Sequence, residues 1–188
     1  MIVAESSSKK NKQLQKISII HTLGPEGTNC EKAGYLWFER QSIQGQVFLH
    51  QTLEEALVHV KETESSALLG CAVYPYLHDI VFKNLTSLEL VDSFIMPTYN
   101  MVLASKEEVI TTNNLLIASH PAPVDLAHSI SPNVQLVNSN AQAAIDCLEG
   151  KVDACITTSK AANEQGLTVV KDFGEVPMCF TLHGRKYA

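Results

Sequence analysis

Short apolar runs alternate along this chain with segments in which apolar residues recur at the spacing of a helix. Residues 53–60 and 141–148 follow the i, i+3, i+4, i+7 pattern, and a shorter stretch at 33–37 is similar. This alternation predicts an α/β fold with a largely parallel sheet. The predicted strands, which lie between the helical segments, are 17–20, 47–49, 67–73, 88–91, 101–104, 115–118, 134–137, 154–157, 168–170 and 179–182.

The alternation is interrupted once, between residues 83 and 105, where two apolar runs follow each other without a helical segment. Such an interruption predicts a crossover between two lobes. We expect the first lobe to contain residues 17–100 together with 168–188, and the second to contain 101–167, behind a polar tail at 1–16. The alternative is a single sheet with one antiparallel pair at its edge.

Composition limits the class of protein. Of the 188 residues, 45% are hydrophobic and 18% are charged, and the formal net charge is −6. The arginines are Arg40 and Arg185, and an acidic chain so poor in arginine argues against a nucleic-acid partner. No apolar run approaches the roughly 20 residues of a membrane span, and residues 1–16 lack the apolar core of a signal peptide. We therefore expect no membrane association.

The cysteines indicate the compartment. They are odd in number, widely spaced and without a C-x-x-C pair, and no Cys/His cluster has the spacing of a zinc site. This pattern is typical of a reducing compartment, so we expect a cytoplasmic protein that needs neither a metal nor a cofactor. The five residues are Cys30, Cys71, Cys147, Cys155 and Cys179.

Several predicted helices begin with a residue that can cap a helix N-terminus. Thr28, Thr52 and Ser139 each precede a Glu or Gln by three residues, which is the capping-box spacing. Further starts are predicted at 119–121 and at Ser159. Helix N-termini carry unpaired N–H groups and partial positive charge, so they can hold a carboxylate in a chain with few arginines. A purely structural cap is the alternative at each position.

Three of these segments together resemble the prephenate dehydratase family. They are the G-P-x-G-T turn at 24–28, the S-H-P segment at 119–121, and the S-x-A-x-A-A helix start at 139–144. The resemblance runs in the same order along the chain. It implies a two-lobed fold of the type II periplasmic-binding-protein kind, with mixed, mostly parallel sheets and the active site in the cleft between the lobes.

The chain departs from the dehydratase pattern in two places. Dehydratases carry P-I-E-N-S after the third strand, whereas Pro75 is followed here by Tyr-Leu-His-Asp at 76–79. Near their end they carry N-x-T-R-F, whose Thr is regarded as the group that protonates the leaving hydroxyl. Met178 and Cys179 stand here before Phe180, and a thioether has no proton to donate. We also expect no regulatory phenylalanine-sensing (ACT) domain.

With these departures the chain resembles the prephenate decarboxylases of the bacilysin and aeruginosin type. The resemblance implies non-aromatising decarboxylation of prephenate to a dihydro-4-hydroxyphenylpyruvate in the biosynthesis of a secondary metabolite, an antibiotic dipeptide or non-ribosomal peptide. One alternative is a prephenate dehydratase with a substitute acid. Another is a non-catalytic cytosolic binding or sensor domain for an acid of the aromatic pathway, because one fold supports many functions.

The site residues follow from this resemblance and from the predicted helix starts. We expect His120, His78 and Asp79 to be catalytic, since imidazole exchanges protons near neutral pH and Asp79 could orient His78 or act alone. The expected partner is a small molecule, prephenate, and the chain could form a homodimer. The expected substrate-binding residues are Thr28, Asn29, Ser119, Ser139, Asn140, Ala141, Thr157, Met178 and Phe180.

Overall fold

The computed structural model describes residues 14–107 and 114–186. These residues form two compact units, each built on one five-stranded sheet. Each sheet contains both parallel and antiparallel pairs, so the α/β class predicted from the sequence is confirmed and the sheets are mixed. The first unit is made of residues 14–24, 30–96 and 178–186, and the second of 25–29 and 97–177.

The first unit contains strands β1 (Ile19–Leu23), β2 (Gln46–His50), β3 (Ser66–Cys71), β4 (Leu88–Pro97) and the last strand, β10 (Pro177–Arg185). The strand order is β2-β1-β3-β10-β4. β1 pairs in parallel with β2 and β3, whereas β10 runs antiparallel to β3 with Phe180 opposite Cys71. Its helices are α1 (Asn29–Gln41), α2 (Leu53–Glu62) and α3 (Leu77–Lys83).

The second unit contains strands β5 (Met101–Ser105), β6 (Ile117–Ser119), β7 (Val134–Leu136), β8 (Ala154–Thr158) and β9 (Thr168–Gly174). The strand order is β7-β6-β8-β5-β9. β6 is parallel to both β7 and β8, and β5 is antiparallel to β8 and β9. Its helices are α4 (Val124–His128), α5 (Asn140–Leu148) and α6 (Ser159–Glu164).

Two hydrophobic clusters form the core of the first unit. In one, Trp37 of α1 packs with Leu69 of β3 and Phe180 of β10, all of them buried. The Trp37 indole N–H donates a hydrogen bond of 2.9 Å to Asp92, which satisfies the one polar atom of this large side chain. In the other, the apolar face of α2 that the sequence predicts packs against Leu68 and Ile80.

The core of the second unit is built largely from small side chains. Ala141, Ala143 and Ala144 place α5 against the sheet, where they meet Ala104 and Ala118. Small residues at a contact allow a helix to approach closely, which brings the start of α5 next to the ends of β6 and β8. The positions of the chemical groups described below depend on this close packing.

The structure differs from the predicted elements at three points. Residues 77–83 form α3, although no helix is predicted there. The predicted helix start at 119–121 is wrong. Ser119 ends β6, and the helix begins after Pro123, beyond a turn that contains Pro121 and Pro123. Residues 168–174, expected in the first lobe, form β9, which pairs with β5 in the second unit.

Candidate active site

Most of the predicted binding residues lie at the edge of the second sheet where its parallel strands end. β6 ends at Ser119, the parallel strand β8 ends at Thr158, and α5 begins beside them at Asn140. The Val137 N–H donates to the Ser119 carbonyl at 3.0 Å, and the Thr157 hydroxyl donates to the Asn140 carbonyl at 2.6 Å. Ligands of open α/β sheets bind at this edge, so the cluster is placed where a substrate site is expected.

The start of α5 has the capping geometry that the sequence predicts. Ser139 is extended, with φ −155° and ψ 161°, and its side chain accepts a hydrogen bond of 3.0 Å from the Gln142 N–H. The other N–H groups of a first helical turn have no partner within the helix. They point away from the helix together with its positive dipole end, which suits a carboxylate. Ala141 is also buried at this start.

Asn140 has the one unpartnered buried side-chain atom found among the described residues. Its Oδ1 atom is out of contact with solvent and accepts no hydrogen bond. Leaving a buried polar group unpaired costs about 1–3 kcal/mol. Rotation of the amide by 180° exchanges Oδ1 for Nδ2, so this position offers either an acceptor or a donor to a ligand.

Ser119 and Thr157 are fully buried, and both hydroxyls are used within the protein. Ser119 donates to the carbonyl of His120 at 2.9 Å, and Thr157 donates to the carbonyl of Asn140. Neither side chain has surface that a ligand could touch in this structure. Their geometry fits the positioning of His120 and of α5 better than direct substrate contact.

His120 is half-buried and follows β6 at the same edge. Its Nδ1 atom accepts a hydrogen bond of 3.2 Å from the Ala122 N–H, so the ring proton of the neutral form is on Nε2. Burial lowers the pKa of His120 below its usual value. The ring is therefore neutral near pH 7 and presents an N–H donor.

The glycine-rich turn at 25–29 packs with the second unit, although Thr28 and Asn29 were expected to act from the first lobe. Asn29 Oδ1 accepts a hydrogen bond of 2.9 Å from the Tyr99 N–H. Gly27 has a φ of +81°, and a Cβ atom there would lie 2.5 Å from Glu164 Oε2. Glycine is favoured at this position because of its backbone conformation, whereas the Glu164 side chain could move to make space for a Cβ atom.

Lys160, a cation close to this turn, is not among the residues predicted from the sequence. Lys160 forms an ion pair with Glu164 and lies 6.0 Å from the centroid of the Tyr99 ring. Its position early in α6, directly after the capped start at Thr158, was the available signal. That position does not indicate a functional role until the fold is known to bring the 25–29 turn to α6.

His78 and Asp79 lie in the first unit, on the first turn of α3. The His78 Nε2 atom is 3.5 Å from Asp79 Oδ1, and Lys83 Nζ is 3.2 Å from Asp79 Oδ2. All three side chains are exposed, so these contacts contribute little to stability. His78 also lines a groove of about 770 Å³ in this unit, together with Thr181 and His183.

The two predicted pocket residues near the end of the chain are placed differently from each other. Phe180 is fully buried in the core of the first unit, where its ring is stacked 5.9 Å from Phe94. It has no surface for a ligand, because β10 directs it towards α1. Met178 is only partly buried and packs at the border of the same cluster.

The sequence predicts no role for His21, His50 and His59, yet these three lie together in the first unit. His21 Nδ1 is 2.9 Å from His50 Nε2, and the ring centroids of His50 and His59 are 4.8 Å apart. Burial lowers the pKa of His21 to about 4, and burial also lowers the pKa of His50. Because the residues are 29 and 9 positions apart, only the pairing of β1 with β2 and the packing of α2 reveal the cluster.

In the described part of the chain, no helix combines the length and the apolar character needed to cross a membrane.

Solved structures define the class of fold. A prephenate dehydratase in complex with L-Phe from Arthrobacter aurescens is similar over 90% of this chain, with a TM-score of 0.66 and 22% identity. The chain spans 61% of the length of that dehydratase.

A periplasmic substrate-binding protein of an ABC transporter from Coxiella burnetii has a TM-score of 0.56 and 15% identity, over 90% of this chain and 84% of its own. The fold is thus of the class shared by prephenate dehydratases and periplasmic binding proteins, as predicted.

No protein-family model matches the chain. A prephenate decarboxylase from Bacillus subtilis strain 168 is 30% identical over 98% of this chain and 97% of its own length. A prephenate decarboxylase from Planktothrix agardhii is 30% identical over 91% of this chain and 90% of its own length. The chain belongs to the prephenate decarboxylase family, which is a family of carboxy-lyases. These relatives confirm the resemblance predicted from the sequence.

Proposed function

We propose that this chain decarboxylates prephenate without aromatising its ring and releases a dihydro-4-hydroxyphenylpyruvate. The observation that carries the proposal is the similarity to prephenate decarboxylases along 98% of the chain. The residues at 178–179 support it, because Met and Cys stand where dehydratases carry the Thr–Arg pair. Met178 offers no proton to a leaving hydroxyl, which a non-aromatising enzyme must avoid protonating.

The reaction breaks the bond between ring carbon C1 and its carboxylate, and CO₂ leaves. The electron pair of that bond moves into the ring, forming a double bond between C1 and C2 while the C2–C3 double bond opens. A proton then adds at C3, the carbon next to the carbinol. The hydroxyl at C4 stays, so no water is released and the ring remains non-aromatic.

The start of α5 is the proposed site for the pyruvyl carboxylate of the substrate. The first-turn N–H groups from Asn140 onward, with the dipole of a nine-residue helix, supply partial positive charge. The unpartnered amide atom of Asn140 supports this assignment, because a carboxylate accepts a hydrogen bond from Nδ2 once the amide is turned. Lys160, which is ion-paired with Glu164 early in α6, is a further cation of the same unit.

His120 is the proposed proton source at C3, in preference to His78 and Asp79. It lies at the same sheet edge as the start of α5 and is half-buried, whereas His78 and Asp79 are exposed on α3. The ring is neutral in the free protein because burial lowers its pKa. Nearby negative charge favours the protonated form of a histidine, so a bound dianion raises the pKa and loads the ring with the proton that C3 requires.

We also propose that the product feeds the biosynthesis of a secondary metabolite of the antibiotic peptide kind, as the resemblance to the bacilysin and aeruginosin type implies. A cytoplasmic location belongs to the same proposal. It is supported by the five cysteines, no two of which are joined by a disulfide in the structure. A homodimer remains part of the proposal and is tested by the mass of the protein in solution.

The proposal is tested by incubating purified protein with freshly prepared prephenate and separating the products by chromatography, beside an enzyme-free control. The expected product is a non-aromatic keto acid formed with one equivalent of CO₂. Phenylpyruvate above the control would instead show a dehydratase with a substitute acid. Substrate consumed no faster than in the control would contradict the enzyme and favour a binding domain.

A further inference from the structure

Three histidines of the first unit lie together, and two of them, His50 and His59, are grouped with the carboxylate of Glu55. His21 lies on β1, His50 ends β2, and His59 lies on α2, one helical turn after Glu55. Residues four apart on a helix project from the same face, so Glu55 and His59 both face the end of β2. The His50 Nδ1 atom is 3.9 Å from Glu55 Oε1. Two imidazoles and one carboxylate thus converge from two elements.

The ligand atoms of His50, Glu55 and His59 all lie within 4.8 Å of one another. Zn²⁺ holds nitrogen and oxygen ligands at about 2.0–2.2 Å, which places the ligand atoms of a tetrahedral site about 3.3–3.5 Å apart. Glu55 and His59 are exposed, so rotation of their side chains closes the remaining gap without moving the backbone. His50 is the least exposed of the three and acts as the fixed point.

The surroundings of the ligands resemble those of established metal sites. A metal-binding histidine usually donates its second ring N–H to a neighbouring group, which fixes its orientation. His50 Nε2 is 2.9 Å from His21 Nδ1, so donation from His50 to His21 leaves the His50 Nδ1 lone pair facing Glu55. Glu55 is itself oriented, because its Oε2 atom accepts a hydrogen bond of 3.1 Å from the Gln51 N–H.

We propose that His50, Glu55 and His59 bind one divalent transition-metal ion of the Zn²⁺ class, with His21 as a positioning residue. Two imidazoles and a carboxylate are a ligand set that Zn²⁺ accepts in proteins, with water completing the tetrahedron. The ion would join the end of β2 to α2. It would therefore stabilise the first unit at the point where the Gly24 N–H donates to the His50 carbonyl at 2.8 Å. This site lies outside the residues assigned to decarboxylation.

The expectation of no metal, drawn from the sequence, rested on cysteine spacing. The ligands found here have the spacing H-x₄-E-x₃-H, in which the first histidine belongs to a strand. Such a set has no recognisable zinc pattern until the strand end and the helix are known to meet.

The test is a titration of the full-length, chelator-treated protein with Co²⁺, followed by its visible d–d absorption, and then with Zn²⁺ in competition. One equivalent should bind, and Glu55→Gln and His59→Ala should each weaken binding at least about tenfold. Both side chains are exposed, so these variants should fold. His128→Ala, a change at an exposed histidine of α4 in the second unit, is the matched control and should bind as the wild type does.

The thermal midpoint of the wild type should rise with Zn²⁺, and that of His59→Ala should not. Three results would overturn the proposal. They are no metal binding by the wild type, binding by both ligand variants as tight as that by the wild type, or a near-ultraviolet thiolate charge-transfer band showing that cysteines hold the ion. None of these readouts depends on decarboxylase activity.

Discussion

At the scale of single residues, the proposed substrate binding depends on the side-chain amide of Asn140. Its Oδ1 atom is the one buried side-chain atom of the described residues without a hydrogen-bond partner. A protein gains nothing in stability from such an atom, so a ligand that pairs with the amide gains affinity without a competing internal bond. The hydroxyls of Ser119 and Thr157, in contrast, already have partners.

Asn140→Ala should lower kcat/KM for prephenate about 10–100-fold. This factor corresponds to the free energy lost with one hydrogen bond to a charged group. Asn140→Asp should lower it further, because a carboxylate there repels the substrate carboxylate. Steady-state kinetics check both, and Asn138→Ala, a change at an exposed asparagine two residues earlier, is the control. If Asn140→Asp keeps wild-type kcat/KM, the amide accepts a hydrogen bond from a hydroxyl and the carboxylate binds elsewhere.

The Met178→Thr, Cys179→Arg double variant restores the dehydratase residues before Phe180. It should yield at most a trace of phenylpyruvate, because residues 76–79 remain unlike those of dehydratases and His78 and Asp79 lie on a helix of their own. Chromatography of the products measures the outcome. Phenylpyruvate formed at rates typical of dehydratases would show that the Thr–Arg pair alone decides between the two reactions.

At the scale of secondary-structure elements, two capped helices of similar length serve different purposes. Thr52 caps α2 and accepts from the Glu55 N–H at 3.1 Å, and Ser139 caps α5 in the same way. α2 packs its apolar face into the first unit, whereas α5 also presents its start to the proposed substrate carboxylate. We therefore expect the Thr52 cap to affect stability alone and the Ser139 cap to affect both stability and substrate binding.

Thr52→Ala and Ser139→Ala should each lower the free energy of unfolding by about 1 kcal/mol, the usual value of a cap. Only Ser139→Ala should also raise KM for prephenate, because the first turn of α5 loses its fixed geometry. Urea unfolding and steady-state kinetics measured on the same preparations test this difference. A KM that rises equally in both variants would mean that α5 has no special role.

The elements that the sequence predicts are those with a signal in their own residues. Thr52 and Ser139 are confirmed as caps, and the predicted strands are found with shifted ends. α3 could not be predicted in this way, because the residue at its start, Tyr76, makes no side-chain capping bond. α4 begins after Pro123, also without a side-chain cap, so Ser119 was the nearest residue with a cap signal.

The candidate site is predictable only in part, for a physical reason. Residues at predicted helix starts, such as Ser139 and Asn140, do lie at one sheet edge with Ser119 and Thr157. Groups that meet through packing of distant segments left no signal. The Tyr99–Lys160 contact and the His50–Glu55–His59 set are of this second kind.

At the scale of the whole molecule, buried histidines make stability depend on pH. Burial lowers the pKa of His21 to about 4 and lowers the pKa of His120 and His183 as well. In the unfolded chain these groups titrate near 6.5, so the unfolded state binds more protons below that pH. Their contribution is fully present above pH 6.5 and is lost as the pH falls towards 4.

The free energy of unfolding, measured with urea in the presence of a chelator, should therefore decrease from about pH 7 to about pH 5. His21→Gln should reduce the steepness of this decrease, because it removes the group whose pKa is lowered most clearly. A free energy of unfolding that stays constant over this range in the wild type would contradict the assignment of neutral, buried histidines.

The central claim is that prephenate loses its ring carboxylate and keeps its hydroxyl. It is tested most directly by proton NMR of the reaction in D₂O. The expected spectrum shows a non-aromatic keto acid that keeps its carbinol proton and carries one deuterium on the adjacent ring carbon. Aromatic signals of phenylpyruvate growing faster than in the enzyme-free sample would contradict the claim.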